Sequence, residues 1–428
     1  MSMLDHLRHN PDHKATAATT SGEGNVLTMK AVEWVSTAKV HINDHRVRVG
    51  LTDPREAIVR IIATTICGSD LHLYHKAIPG MKSGDIIGHE GIGIVDEVGA
   101  KCTKFQKGDR VTISAIIACG ECEYCRKQQF SCCDNTNPSK DMNQMYGHRT
   151  AGLFGYSHLT GGYSGTQAEY VRVPYADQCL LALPENISDE NALLLSDVAC
   201  TSWHANELGE VHEGDVVCIW GAGPIGLATS YWAKFRGASR VLVVDNVPER
   251  LELAKVRTGA EIIDYNDGDV SEQLKKLVPG GVDVAIECVG SRYTKTLSHK
   301  IQMAIGLETD SVDVLIECIK SVKKGGCVSI IGDYVGLANQ FPIGAMVEKS
   351  LTVRGGQLFA QKYWPYLIDL FSSGKADLSW VFTNRMDLEQ ADDAYVMFDK
   401  KKEGCVKVAL YTAFGRSLTQ DAVAPQGL

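Results

Sequence analysis

Residues 216–226 read VVCIWGAGPIG, an apolar run that passes directly into a glycine-rich turn. The spacing of Gly221, Gly223 and Gly226 allows a tight turn, a close approach of a ligand to the backbone, and packing of a helix on the preceding strand. Pro224 and Ile225 open a helix that we expect to end at Phe235, before Gly237. Its first N–H groups would face the phosphates of a dinucleotide.

A carboxylate follows at the distance that such a motif requires. Asp245 closes the next apolar run, 19 residues after Gly226, where it would accept the adenosine ribose hydroxyls. Its charge would repel a 2′-phosphate, so NAD is favoured over NADP. Arg250 is the opposing signal, because a nearby arginine can accommodate that phosphate.

The residues around this motif predict a doubly wound α/β domain with a parallel sheet over 198–350, because buried strands alternate with helical segments. Within it, VDVAIEC (282–288) nearly recurs as VDVLIEC (312–318). The first copy leads into a Val-Gly turn and predicts a strand. The second continues with apolar residues at helical spacing and predicts a helix.

The segments on either side of this domain have a different sequence pattern. Short β-rich runs such as 57–66 and 91–98, separated by turn residues, predict a folded-back β domain over 27–197, completed by residues 351–413. The polar ends, 1–26 and 414–428, are predicted to be mobile tails.

Composition excludes several classes of protein. With 44% hydrophobic and 22% charged residues among 428, the chain is predicted to be globular. A net charge of −9 argues against a general nucleic-acid binder. No apolar run approaches the roughly 20 residues of a membrane helix. The first residues lack a secretory signal, so we expect a reducing cytoplasmic location and consider metal or catalytic roles for the 14 cysteines before disulfides.

The clearest local signal is a four-cysteine loop with the spacing C-x2-C-x2-C-x7-C, formed by Cys119, Cys122, Cys125 and Cys133. Four thiolates this close can fill all positions of a tetrahedral structural zinc site. Cys132 competes with Cys133 for the fourth position, although the pattern prefers Cys133. A simple cysteine-rich loop, two disulfides and an iron–sulfur cluster are the alternatives.

A second set of candidate ligands is dispersed. Cys67 ends a predicted strand within CGSDLH, and His89 follows 22 residues later. Thiolate and imidazole are ordinary zinc ligands, and a catalytic zinc needs three protein ligands and an open position. Taken singly, each is more simply a structural residue. Their place upstream of the cysteine loop and the dinucleotide motif strengthens the zinc interpretation.

Together these residues resemble the zinc-dependent medium-chain alcohol dehydrogenases from about Leu27 to Leu410. CGSDLH (67–72), GHEGIGIVDEVG (88–99), the cysteine loop and GAGPIG (221–226) occur in that family's order. The resemblance implies a GroES-like β-rich catalytic domain plus a Rossmann domain. It is closest to the glutathione-independent formaldehyde dehydrogenase-like branch, on the long segment 147–167, the Leu-Ser-Asp at 195–197, and the extra residues between 290 and 321.

The resemblance also assigns roles to individual residues. It implies Asp197 as the third catalytic zinc ligand, the alternative being that Asp197 caps the following helix. Ser69 and His72 would relay a proton, and Asp70 would accept the ring N–H of His89. Further roles by resemblance are Glu90 beside the metal as a transient ligand and Lys407 at a cofactor phosphate.

The expected function is hydride transfer between NAD and a primary or secondary alcohol or aldehyde. Two zinc ions per subunit, a small-molecule substrate and a homodimer or homotetramer are implied, with neither nucleic acid nor membrane as partner. Residues 146–165 are expected at the rim of the substrate pocket. The alternatives are a biosynthetic dehydrogenase acting on a larger metabolite and a catalytically silent dinucleotide-binding protein.

Overall fold

The computed structural model describes residues 26–291 and 310–421. The tail expected over 1–26 lies almost entirely outside them, and so do residues 292–309 of the extra segment between 290 and 321. The chain divides into two compact units, of which the first contains the residues up to Cys200 and from Leu358 onward, and the second runs from Thr201 to Gln357. The boundaries expected from sequence, 197/198 and 350/351, each lie a few residues earlier.

The first unit begins with β-rich structure. Its elements in chain order are β1 (Thr28–Ser36), β2 (Lys39–Val47), β3 (Ala57–Ile66), α1 (Gly68–Tyr74), β4 (Asp85–Ile86), β5 (Gly91–Val98), β6 (Arg110–Ile113), β7 (Ile116–Ile117), α2 (Glu123–Arg126), α3 (Lys140–Tyr146), β8 (Gly152–Leu153), β9 (Tyr170–Val173), α4 (Ala176–Cys179), β10 (Leu180–Ala182) and α5 (Asp189–Leu194). Helix α6 (Val198–Leu208) then leads into the second unit.

The second unit alternates strands and helices. It contains β11 (Val216–Trp220), α7 (Pro224–Phe235), β12 (Arg240–Asp245), α8 (Pro248–Thr258), β13 (Glu261–Asp264), α9 (Val270–Leu277), β14 (Val282–Glu287), α10 (Asp313–Ser321), β15 (Val322–Ile330), α11 (Ile343–Glu348) and β16 (Thr352–Gly355). The strands form one parallel sheet in the order β13-β12-β11-β14-β15-β16. The expected doubly wound fold is therefore confirmed.

The carboxyl-terminal segment returns to the first unit with α12 (Ala360–Ser372), β17 (Phe382–Asp387), α13 (Ala391–Asp399), β18 (Lys407–Tyr411) and α14 (Ala413–Asp421). The main sheet of the first unit has the order β10-β6-β5-β3-β18-β17, and β9 also pairs with β3. Strand β18 thus inserts beside β3, which completes the sheet from a distant part of the sequence.

Helix α14 occupies part of the segment expected to be a mobile tail from Phe414. The Arg60 guanidinium lies 3.8 Å from the centre of the Phe414 ring, and Gly415 is buried. A Cβ on Gly415 would come within 2.1 Å of the Ile62 carbonyl oxygen, so the helix packs directly on β3. This contact explains why a polar sequence is ordered here. Residues 422–428 lie outside the described residues.

None of the helices in the described part of the chain has the length and apolar character of a membrane span.

Candidate active site

The register of the main sheet brings Cys67 and His89 together. Strands β3 and β5 are antiparallel, and Thr64 pairs with Gly91. Residues just beyond the end of β3 therefore lie beside those just before the start of β5. This local geometry places Cys67 near His89 and Glu90.

Asp197 reaches the same place through a turn that Ser196 fixes. The Ser196 hydroxyl lies 2.9 Å from the Thr112 hydroxyl and 3.2 Å from the backbone N of Gly91. Its carbonyl accepts the N–H of Ala115 at 3.2 Å. These bonds tie the turn between α5 and α6 to β5 and β6.

The resulting cluster is compact and buried. The Asp197 Oδ2 atom lies 3.4 Å from His89 Nε2 and 3.7 Å from Cys67 Sγ. One ligand atom from each of these three residues and from Glu90 lies within 4.8 Å of the others. A sulfur, a ring nitrogen and carboxylate oxygens at this spacing fit the donor set of a zinc ion.

Asp70 faces the other nitrogen of the His89 ring. The Asp70 Oδ1 atom is 3.2 Å from Nδ1, and neither atom has a well-aligned hydrogen bond to another described residue. Asp70 is fully buried at the start of α1, where its Oδ2 accepts the N–H of Cys67 at 2.9 Å. Asp70 therefore favours a proton on Nδ1, which leaves Nε2 free to bind a metal.

The cluster's electrostatics favour proton retention when only protein groups are present. Burial lowers the pKa of His89, but the Asp70 carboxylate and hydrogen bonds to Asp197 and Asp70 raise it well above its usual value. Burial raises the pKa of the Cys67 thiol, although its hydrogen bond to His89 acts in the opposite direction. Protons must leave both groups for metal binding, so metal affinity should increase with pH.

Helix α1 carries the two residues expected to relay a proton. The Ser69 hydroxyl oxygen lies 3.4 Å from His89 Nε2, beside the ligand atoms. His72 lies three residues further along the same helix, so the two side chains share one face. His72 is buried, with 8% of its surface exposed.

Lys407 has surroundings that differ from the expected cofactor phosphate. It is fully buried at the start of β18, and its Nζ is 2.9 Å from Glu90 Oε1. The Thr65 hydroxyl donates to the other oxygen of Glu90 at 2.8 Å. An ammonium without exposed surface has no access to a ligand in this conformation. Because Val408 pairs with Ile66, the register of β18 on β3 explains the position.

The four-cysteine loop forms a second cluster. Its sulfur atoms lie within 4.8 Å of one another, with Cys119–Cys125 and Cys122–Cys133 both at 3.9 Å. These separations are about twice the length of a disulfide bond, and all four cysteines are free. Backbone N–H groups donate to several of the sulfurs, as the N–H groups of Glu121 and Cys122 do to Cys119.

The loop's thiols are electrostatically linked. Hydrogen bonds with Cys125 and Cys133 lower the pKa of Cys119, and hydrogen bonds with Cys119 and Cys133 raise the pKa of Cys125. Cys132 lies in a 3-10 turn and outside the cluster, as the sequence pattern favoured. The donor set is that of a closed structural zinc site.

In the second unit, the glycine turn has the geometry of a dinucleotide site. Gly221 has φ +97°, and a Cβ on Gly226 would lie 1.8 Å from the Gly221 carbonyl oxygen. A Cβ on Gly223 would meet only Arg250 Nη1 at 3.9 Å. The packing thus requires the first and third glycines but not the second. Open space at Gly223, where α7 begins with Pro224 and Ile225, fits the approach of a pyrophosphate.

Asp245 also supports this turn directly. Its Oδ2 accepts the N–H of Ala222 at 2.6 Å, and its Oδ1 accepts those of Asn246 and Val247 at 2.7 and 3.0 Å. A carboxylate has about four acceptor sites, so capacity for a ribose hydroxyl remains. Arg250 is buried beside Gly223.

Comparisons with known proteins identify the family. The alcohol dehydrogenase GroES-like domain matches residues 53–185, and the zinc-binding dehydrogenase domain matches residues 224–304. A zinc-type alcohol dehydrogenase-like protein of Schizosaccharomyces pombe is 46% identical over 418 residues, which cover 95% of this chain and 99% of that protein. The chain therefore belongs to the zinc-dependent medium-chain alcohol dehydrogenases, a family of oxidoreductases with a GroES-like and a Rossmann domain.

The chain is also similar to a formaldehyde dehydrogenase and to an alcohol dehydrogenase of known structure. The glutathione-independent formaldehyde dehydrogenase of Bacillus subtilis is 33% identical over 368 residues, covering 80% of this chain and 84% of that enzyme. The solved structure of alcohol dehydrogenase TADH from Thermus sp. ATN1 has a TM-score of 0.76 and 32% identity, and the match covers 90% of this chain and all of that one.

The structure adds residues that the sequence did not single out. The Thr65 hydroxyl donates to the Glu90 carboxylate. The Gln167 amide donates to Asp70, and the Tyr395 hydroxyl donates to Gln167. No local motif marks them, because their roles depend on strands and helices that are distant in the sequence.

Proposed function

We propose that the chain is an NAD-dependent zinc dehydrogenase that interconverts small alcohols and aldehydes. The observation that carries this proposal is the buried cluster of Cys67, His89 and Asp197, with Ser69 beside it. In the second unit, the glycine turn and Asp245 would bind NAD, the proposed hydride acceptor.

The donor set matches a catalytic metal in charge as well as in geometry. A thiolate from Cys67, a carboxylate from Asp197 and neutral His89 together balance a divalent cation. A zinc ion bound there would supply a Lewis acid that lowers the pKa of an alcohol hydroxyl toward neutrality. The four-cysteine loop would hold a second, structural zinc, giving two per subunit.

The chain's own residues provide a route for the proton. Ser69 would take the proton of the substrate hydroxyl, and His72, one turn further along α1, would receive it from Ser69. Asp70 keeps the His89 ring in the orientation that leaves Nε2 toward the cluster.

NAD is the proposed cofactor, and it would supply the hydride acceptor. The Asp245 carboxylate disfavours a 2′-phosphate through like-charge repulsion. Arg250 is buried at the base of the turn, so it offers little surface to such a phosphate.

A small substrate is favoured by an aromatic side chain near the cluster. The Tyr156 ring lies edge-on to the His89 ring, with 6.3 Å between their centres, and Tyr156 is buried. Residues 151–157 are buried as a whole, so this part of the expected pocket rim is packed rather than open. The formaldehyde dehydrogenase relative supports the same substrate class by resemblance.

The proposal is tested by assaying zinc-loaded enzyme with NAD and with NADP against substrates from formaldehyde to bulky aromatic alcohols. We expect turnover with NAD and a preference for the smallest substrates. Activity confined to large alcohols would favour the biosynthetic alternative, and no activity on any substrate would contradict the proposal.

Ser69→Ala provides a matched mechanistic test. Loss of the proton relay should lower kcat by about 10²- to 10⁴-fold while metal content stays at two ions per chain. Ser417→Ala, which removes an exposed hydroxyl on α14, should have no such effect. Equal activity of the two variants would contradict the assigned role of Ser69.

A further inference from the structure

Two buried residues outside the ligand cluster hold the carboxylate that faces His89. The side-chain amide of Gln167 donates from Nε2 to the Thr65 carbonyl at 3.0 Å and to Asp70 Oδ2 at 3.4 Å. The Tyr395 hydroxyl donates to Oε1 of the same amide at 3.0 Å. A continuous chain of polar contacts therefore runs from Tyr395 through Gln167 and Asp70 to His89.

This chain has only one favourable orientation. Turning the Gln167 amide over would place its oxygen against both the Thr65 carbonyl and the Asp70 carboxylate, which are acceptors. The side chain itself is fixed by close packing, because a Cβ on Gly88 would lie 2.5 Å from Gln167 Cγ. Gln167, Asp70 and Tyr395 are all fully buried.

The direction of these bonds determines what Asp70 offers to the metal ligand. Its Oδ2 accepts the N–H groups of Cys67 and Gln167, which leaves Oδ1 for His89 Nδ1 at 3.2 Å. Tyr395 also stacks on Tyr74, the last residue of α1, with 5.2 Å between ring centres. Tyr395 thus supports α1 in two ways. It reaches Asp70 through Gln167, and it stacks on the last residue of the helix.

We propose that Gln167 and Tyr395 are positioning residues that orient Asp70 and thereby set the metal affinity of the Cys67–His89–Asp197 cluster. Glutamine suits this position because a glutamate would oppose the Asp70 carboxylate, and an apolar residue would withdraw one of its two donors. The inference rests on the proposed zinc-dependent function.

The test measures metal binding rather than turnover. Zinc transfer to the chelator 4-(2-pyridylazo)resorcinol is followed for wild type, Gln167→Met and Tyr395→Phe, and cobalt is substituted for zinc to obtain the visible spectrum of the cluster. Gln167→Met preserves side-chain volume, and Tyr395→Phe keeps the stacking on Tyr74. Thr412→Val is the control, since Thr412 is also buried and its hydroxyl donates to a carbonyl of β3, that of Ile61.

We expect both variants to weaken binding of the catalytic metal by about 10- to 100-fold and to shift its cobalt spectrum. The metal in the four-cysteine loop should be released as in wild type, and Thr412→Val should match wild type throughout. If Gln167→Met fails to fold, Tyr395→Phe still provides the test.

Two failures are distinguishable. Wild type that takes up two ions while Gln167→Met or Tyr395→Phe shows unchanged release and spectrum would overturn the positioning role alone. Wild type that takes up metal only at the four-cysteine loop would overturn the proposed function, and this inference with it.

Discussion

The buried pair of Lys407 and Glu90 leads to a specific prediction about stability. Lys407 Nζ lies 2.9 Å from Glu90 Oε1, and both residues are fully buried. Burial lowers the pKa of Lys407, but Glu90 together with Cys67 and Asp197 raises it overall. Lys407 is therefore charged, and Lys407→Met would leave the buried carboxyl group of Glu90 without this partner.

The expected cost follows from that uncompensated charge. Removing one partner of a buried ion pair destabilises a protein by about 3–5 kcal/mol. The Thr65 hydroxyl still donates to Glu90 at 2.8 Å, so the lower end, about 3 kcal/mol, is expected here. Replacing Glu90 with Gln as well removes the stranded charge, and the double variant should recover most of the loss.

The assay is a double-mutant cycle in urea on metal-saturated protein, comparing wild type, Lys407→Met, Glu90→Gln and the double variant. A loss below about 1 kcal/mol for Lys407→Met would refute the reasoning, since surface pairs contribute no more than that. Unchanged stability with a raised KM for NAD would instead support the phosphate contact expected from sequence.

Two further predictions concern the second unit. Burial raises the pKa of Glu287 to about 7, so the folded chain holds a proton that the unfolded chain releases near pH 4. The free energy of unfolding should then fall by about 3 kcal/mol as pH rises from about 4 to 7. In urea titrations, Glu287→Gln should flatten this pH dependence. Parallel pH profiles for the variant and the wild type would contradict the prediction. Asp245→Asn should remove the charge and keep one acceptor oxygen, which can still serve the N–H groups of Asn246 and Val247 but not that of Ala222 as well. The ratio of kcat/KM for NADP to that for NAD should rise at least about tenfold, equivalent to about 1.4 kcal/mol, and an unchanged ratio would contradict the role assigned to Asp245.

Local sequence signals predicted the second unit closely. The glycine motif placed a helix at 224–235, where α7 runs from Pro224 to Phe235. The near-identical segments at 282–288 and 312–318 form a strand and a helix respectively, as their flanking residues indicated. Periodicity and turn residues decide such elements because they act over a few neighbouring positions.

Contacts between distant segments could not be predicted in the same way. Lys407 contacts Glu90 across 317 positions, and Tyr395 contacts Gln167 across 228. Both contacts depend on how β18 and α13 pack, and no local pattern encodes that packing. Helix α14 was missed because its stability comes from contacts with β3 rather than from its own polar sequence.

The most direct measurement is a crystal structure of the zinc-loaded protein with anomalous diffraction data recorded at the zinc absorption edge. We predict one peak among the four loop cysteines and a second bound jointly by Cys67 Sγ at about 2.3 Å, His89 Nε2 at about 2.0–2.1 Å and an Asp197 oxygen at about 2.0–2.2 Å. A single peak at the cysteine loop, with nothing shared by those three residues, would contradict the account.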